Sequence, residues 1–76
     1  MKYITVMTDA GNESKLIIDF FKRHNVKITV FRVQDTRLQR KYKTPVTLGY
    51  ENGMKKRTVH DYKPKLLKRI VDWINS

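Results

Sequence analysis

The apolar positions of this 76-residue chain switch between two spacings along its length. In "KYITVMT", Ile4 and Val6 alternate with Tyr3, Thr5 and Met7, β-branched residues are frequent and a polar turn follows. That pattern predicts a strand buried on both faces and central in its sheet. From Asn12 the spacing becomes helical, with Leu16, Ile17, Phe20 and Phe21 on the apolar side. Asn12 is the expected N-cap, and Glu13 lies in the first turn, where the helix dipole favours an acid. His24-Asn25 ends the helix, and "VKITVFRV" follows as a second strand with Val26, Ile28 and Val30 on one face. A strand-helix-strand unit of this length makes the two strands parallel neighbours joined by a right-handed crossover.

The next stretch, "QDTRLQRKYK", is polar apart from Leu38 and Tyr42, four apart, which fits a short or imperfect helix. "TPVTLGY" then places Val46, Leu48 and Tyr50 at period two, Asn52-Gly53 supplies a two-residue turn, and "MKKRTVHDY" returns as the antiparallel partner. Pro64 suits the first position of a closing helix whose stripe is Leu66, Leu67, Ile70, Val71 and Ile74. Phe20, Phe21 and Trp73 fall among aliphatics at helical spacing and read as core. The order is β-α-β-(α)-β-β-α in a single domain, residues 1–76, uninterrupted by repeat, linker or low-complexity tract.

Composition narrows the chemistry. With no cysteine the chain has no disulfide, thiolate nucleophile or dithiol couple. Two histidines and seven carboxylates show no metal-binding spacing, so neither metal nor cofactor is expected. No apolar run approaches the roughly 20 residues of a membrane span, and nothing resembles a signal peptide, so a soluble protein in the cytoplasm, off the membrane, is expected. The net charge of +10 is concentrated late: six basic residues face four acidic ones in residues 1–36, and eleven face three in residues 37–76. Three clusters carry it, Arg37, Arg40, Lys41 and Lys43, then Lys55, Lys56 and Arg57, then Lys63, Lys65, Lys68 and Arg69. Gathered on one side of a small fold they would form a polyanion surface, whereas scattered they would be solvated faces. Tyr42, Tyr50 and Tyr62 lie among these basic residues, as in single-strand binders, although tyrosines are also common on half-exposed sheets.

The element order, the strand "MKYITVMTDAG" with its Thr-x-x-Gly approach, "TPV" at 44–46 and "YKP" at 62–64 together resemble the glutaredoxin and thioredoxin family over nearly the whole chain. The nearest match is to the small glutaredoxin-like hydrogen donors of ribonucleotide reductase. The resemblance implies an α/β, thioredoxin-like (glutaredoxin-type) fold with a four-stranded mixed sheet flanked by helices. It also implies a cis bond before Pro45, and places the redox C-x-x-C at Asn12, Glu13, Ser14 and Lys15. Neither asparagine nor lysine can attack a disulfide or resolve a mixed one.

The loop Thr8, Asp9, Ala10, Gly11, Asn12, Ser14 and Lys15 is thus a degenerate active site. A Ser14 nucleophile would need a base, and His60 is the histidine that the resemblance brings nearest, on fold analogy alone. Asp61 stands where the family has a glycine that lets a ligand backbone approach, and its carboxylate would repel glutathione, which is not expected to bind. The family's groove for an extended peptide maps onto Thr44, Pro45, His60, Asp61 and Tyr62. The expectation is a non-enzymatic, redox-inactive binding module that takes a protein partner in that groove. The alternative is non-specific nucleic-acid binding through Arg37, Arg40, Lys41, Lys43, Lys55, Lys56, Arg57, Lys63 and Lys65.

Overall fold

The computed structural model describes residues 1–76, as β1 (Lys2–Thr8), α1 (Asn12–Arg23), β2 (Thr29–Arg32), α2 (Thr36–Tyr42), β3 (Val46–Glu51), β4 (Met54–His60) and α3 (Pro64–Ile74). The strands form one sheet in the order β2-β1-β3-β4, with β1 parallel to β2 and antiparallel to β3. The hairpin turns where expected, Asn52 and Gly53 both taking positive φ (54° and 81°) as a two-residue turn matched to strand twist requires. Asn25, also at positive φ, follows the end of α1, and Pro64 opens α3.

One face of the sheet meets two helices. Ile4, Val6 and Val59 project toward Ile17 and Phe21 of α1 and Leu67, Ile70 and Val71 of α3, all buried. Phe20 packs edge-on to Phe21 at 5.7 Å and stacks on the His24 ring at 4.3 Å. Each large side chain fully buried here contributes roughly 1.5–3 kcal/mol of transfer free energy. Leu16 and Leu66, expected in the helical stripes, are instead exposed. The α1 stripe runs through Ser14, Ile17, Phe20 and Phe21, and Leu16 sits one position off it, as Leu66 does beside Leu67. β2 is also shorter than expected. Its ladder with β1 begins only at Thr5↔Thr29, because Val26 and Ile28 are spent packing against the helical core as the chain leaves α1.

The largest departure concerns β3. Thr47 and Gly49, not Leu48 and Tyr50, face the two helices. The register pairs Tyr3 with Tyr50, Thr5 with Leu48 and Met7 with Val46, and Met7 with Phe31 on the parallel side. These residues lie on the opposite face, which has only the seven-residue α2 for cover. Val46 is buried, whereas Leu48 and Tyr50 are half-buried and Tyr3 and Phe31 are exposed. Gly49 leaves space on the helical side for Trp73, and an added Cβ would stand 2.8 Å from the indole and 3.0 Å from the Arg57 Cβ.

Candidate functional site

Three loops meet at the end of the sheet where β1 and β4 finish and β3 begins: Asp9–Gly11, Lys43–Pro45 and Asp61–Lys63. Asp9 joins the first two. Its Oδ1 accepts the Gly11 N–H at 2.8 Å and the Ser14 hydroxyl at 3.1 Å, and its Oδ2 accepts the Thr44 hydroxyl at 3.1 Å. The Ser14 hydroxyl in turn accepts the Asp9 N–H at 3.0 Å. These bonds stabilise the carboxylate, the Gly11 N–H foremost, and hold the Asp9 pKa below its ordinary 3.8 against the opposing effect of burial.

The helix cap differs from the sequence expectation. Asn12 is the first residue of α1, and Gly11 is the N-cap with no side-chain cap bond. The Asp9 carboxylate organises this turn from three residues upstream, a task the N-cap side chain would otherwise take. Ser14 is likewise no nucleophile paired to His60. Its buried hydroxyl is engaged with Asp9, while His60 Nδ1 faces the Lys43 carbonyl at 3.2 Å. Asn12 and Lys15, at the positions that the resemblance gives to the two thiols, are exposed in the first turn of α1.

The Thr44–Pro45 bond is cis, and the Pro45 ring is buried. The Pro45 carbonyl accepts the Asp61 N–H at 2.8 Å, and the Tyr62 N–H donates to Glu13 Oε1 at 3.4 Å, so the third loop is tied to the other two. Asp61 has φ 63°, the left-handed region that glycine favours, with its side chain exposed. The Thr44 N–H is already given to the Gln39 carbonyl at 3.1 Å, but the Thr44 carbonyl accepts no hydrogen bond from the chain. Beside this junction a cleft of about 400 Å³ is lined by Thr8 to Gly11, Ser14, Lys15 and Ile18, and by Val30 and Arg32 of β2. Sequence reasoning missed Val30 and Arg32, because only the parallel pairing with β1 carries them to the loop.

The basic clusters do not share one side. An irregularity between Gly49 and Tyr50 sets Lys55 opposite Tyr50 on the open face and Arg57 opposite Gly49 on the helical face. Arg57 lies over the Trp73 ring at 5.4 Å and lines a groove with Arg69, while Lys68 pairs with Asp72 at 3.0 Å. Arg37 stands 3.8 Å from Asp35, and Arg40, Lys43, Lys56, Lys63 and Lys65 are exposed. Lys41 and Lys55 line one groove on the open face. There is no group of three or more potential metal ligands, and no helix is long and apolar enough to cross a membrane.

No family model matches the chain, and no curated protein matches it in sequence. Solved structures do match it in shape. Thioredoxin Mala s 13 of Malassezia sympodialis superposes with a TM-score of 0.68 at 16% identity, over 99% of this chain and 76% of that one. Oxidised thioredoxin of Plasmodium falciparum gives 0.68 at 15% identity, over 99% and 82%. Reduced thioredoxin pre-protein of Schistosoma mansoni gives 0.65 at 16%, over 95% and 77%. At these identities the likeness is one of fold, and the fold of this cysteine-free chain is thioredoxin-like.

Proposed function

We propose that the protein is a redox-inactive, glutaredoxin-type binding module without catalytic activity of its own, whose three-loop end holds an extended segment of a protein partner. The observation that carries this reading is the Thr44 carbonyl, unpaired within the chain, next to the cis bond and beside the Asp9 junction. A backbone N–H of the partner would donate to it, in the manner of strand addition. With the Thr44 N–H committed to Gln39, backbone pairing is one-sided, so side chains must supply the rest. Lys15 and Arg32 in the adjoining cleft favour an acidic residue on the partner. The glutaredoxin assignment rests on the order and spacing of Thr8–Gly11, Thr44-Pro45 and Tyr62–Pro64, with the small hydrogen donors of ribonucleotide reductase nearest. Asp61, exposed at the same end, weighs against glutathione. A cytoplasmic setting belongs to the proposal, since a domain without disulfides draws nothing from an oxidising compartment.

The second reading, non-specific nucleic-acid binding by the basic residues between 37 and 69, draws its support from Lys41 and Lys55, which share a groove on the open face.

Selection from a random peptide library, followed by titration of the enriched peptide into isotope-labelled protein, tests the first reading. Amide shifts should concentrate at Ala10, Gly11, Thr44 and His60, and Pro45→Ala should weaken binding by about tenfold or more. Failure to enrich any peptide, or shifts confined to other surfaces, would refute it.

A further inference from the structure

We infer that the open face of the sheet is a stacking platform for single-stranded nucleic acid, a second binding surface that borders the three-loop end at His60. The face is aromatic where a solvated sheet face is normally polar. Tyr3 and Tyr50 stack across β1 and β3 with centroids 5.1 Å apart and planes within 10°. Phe31 on β2 is 56% exposed, Tyr3 42%, and Tyr42, which crosses over from α2, 41%. All four line one shallow groove of about 540 Å³. A second groove, of about 260 Å³, shares Tyr42 and Tyr50 with the first and adds Lys41 and Lys55. The Lys41 ammonium lies 5.7 Å above the Tyr42 ring.

Charge selects the occupant. The only acidic residue in any strand is Glu51, and its partner in the register is Lys2. Lys2 sends its ammonium to the Trp73 carbonyl on the helical side, so Glu51 stands on that side as well and the open face has no carboxylate at a strand position. A second copy laid on this face would bring two sets of lysines together on chains of net charge +10. A polyanion with flat apolar rings matches both features: bases stack on the aromatic rings while phosphates meet the lysines. Four strands at about 4.8 Å spacing give a face about 14 Å wide, which accommodates two or three stacked bases. A duplex keeps its bases inside and would use the charge alone. The platform therefore selects single strands.

The test uses fluorescence anisotropy of a labelled oligothymidylate of about 12 nucleotides, the matching single-stranded RNA and a duplex of equal length, over a range of salt concentrations. Both single strands should bind more tightly than the duplex. The double variant Tyr3→Leu with Tyr50→Leu, which keeps an apolar surface and removes the rings, should weaken single-strand binding by about tenfold or more. Lys41→Gln with Lys55→Gln should lower the log-log salt slope by about 1.4, two single-strand phosphates at about 0.7 each. The Tyr3→Leu with Tyr50→Leu variant should bind the peptide selected for the three-loop end as wild type does, which separates the platform from the peptide site. Three results would overturn the inference: equal affinity for the duplex, tyrosine variants that bind like wild type while folded by circular dichroism, or a concentration-dependent dimer that masks the face and that oligonucleotide does not dissociate.

Discussion

Replacing Gly49 by alanine probes the contact through which α3 is seated on the sheet. The added methyl would stand 2.8 Å and 3.1 Å from two carbons of the Trp73 ring and 3.0 Å from the Arg57 Cβ. Carbon atoms attract best at about 3.5–4.0 Å, so the indole must move by most of an ångström. Little else can yield, because Gly49 is pinned between β1 and β4 through its pairs with Ile4 and Arg57. The shift also disturbs the two cations over the ring, the Lys2 ammonium at 5.5 Å and the Arg57 guanidinium at 5.4 Å. Overpacking of this kind costs about 1–3 kcal/mol. The lower backbone entropy of alanine in the unfolded chain returns about 0.4–1 kcal/mol, since the φ of Gly49 is one that alanine adopts freely. The net expectation is destabilisation by about 1.5 kcal/mol, or a fall in Tm of roughly 6–12 °C in a domain of this size. Urea and thermal melts followed by circular dichroism measure it, and Trp73, the single tryptophan, reports the ring's displacement by its fluorescence. In a double-mutant cycle, Trp73→Leu should relieve the added cost of Gly49→Ala by about 1 kcal/mol. A Gly49→Ala protein as stable as wild type, with unshifted fluorescence, would refute the account of how Trp73 is seated.

Thr47 is wholly buried and its hydroxyl has no partner, so Thr47→Val should raise stability by about 1 kcal/mol, and a lower denaturation midpoint would show that the hydroxyl is satisfied after all. The Asp9 pKa is depressed in the fold, so the stability it supplies is complete above the ordinary value of 3.8 and drains away as pH falls from there through the lowered folded value. Asp9→Asn should flatten that part of the acid limb in a plot of Tm against pH between neutrality and strong acid, and parallel curves for the two proteins would contradict it. Lys43, which ends α2 at φ 53°, pays a left-handed penalty that glycine avoids. Lys43→Gly should therefore gain about 0.5–1 kcal/mol by chemical denaturation, and a loss would mean that the lysine side chain makes a compensating contact.

Local chemistry already determines much of this protein. Asn52-Gly53 is a two-residue turn in the sequence and in the structure because both residues tolerate positive φ. Pro64 opens α3 because its missing N–H is unneeded there, and the changes from period two to period 3.6 order the elements around one sheet. The absence of cysteine removes thiol chemistry from this thioredoxin-like fold before any coordinate is known. The junction at Asp9 was only partly legible: the loop could be marked as a site, but a carboxylate that binds Gly11, Ser14 and Thr44 at once depends on bringing together residues 35 apart in the chain.

Tertiary structure decided which side of each strand is inside. Val46, Leu48 and Tyr50 carry the apolar alternation of β3, yet pairing with β1 gives the helical face to Thr47 and Gly49. The reason is steric, since the ring of Trp73 needs the space that Gly49 leaves, and strand register then fixes every neighbour. The same register gathers Tyr3, Phe31 and Tyr50 from three strands onto one open surface and divides Lys55 from Arg57 across the sheet. Periodicity within a segment measures which residues share a side, and only the pairing between segments says what that side meets.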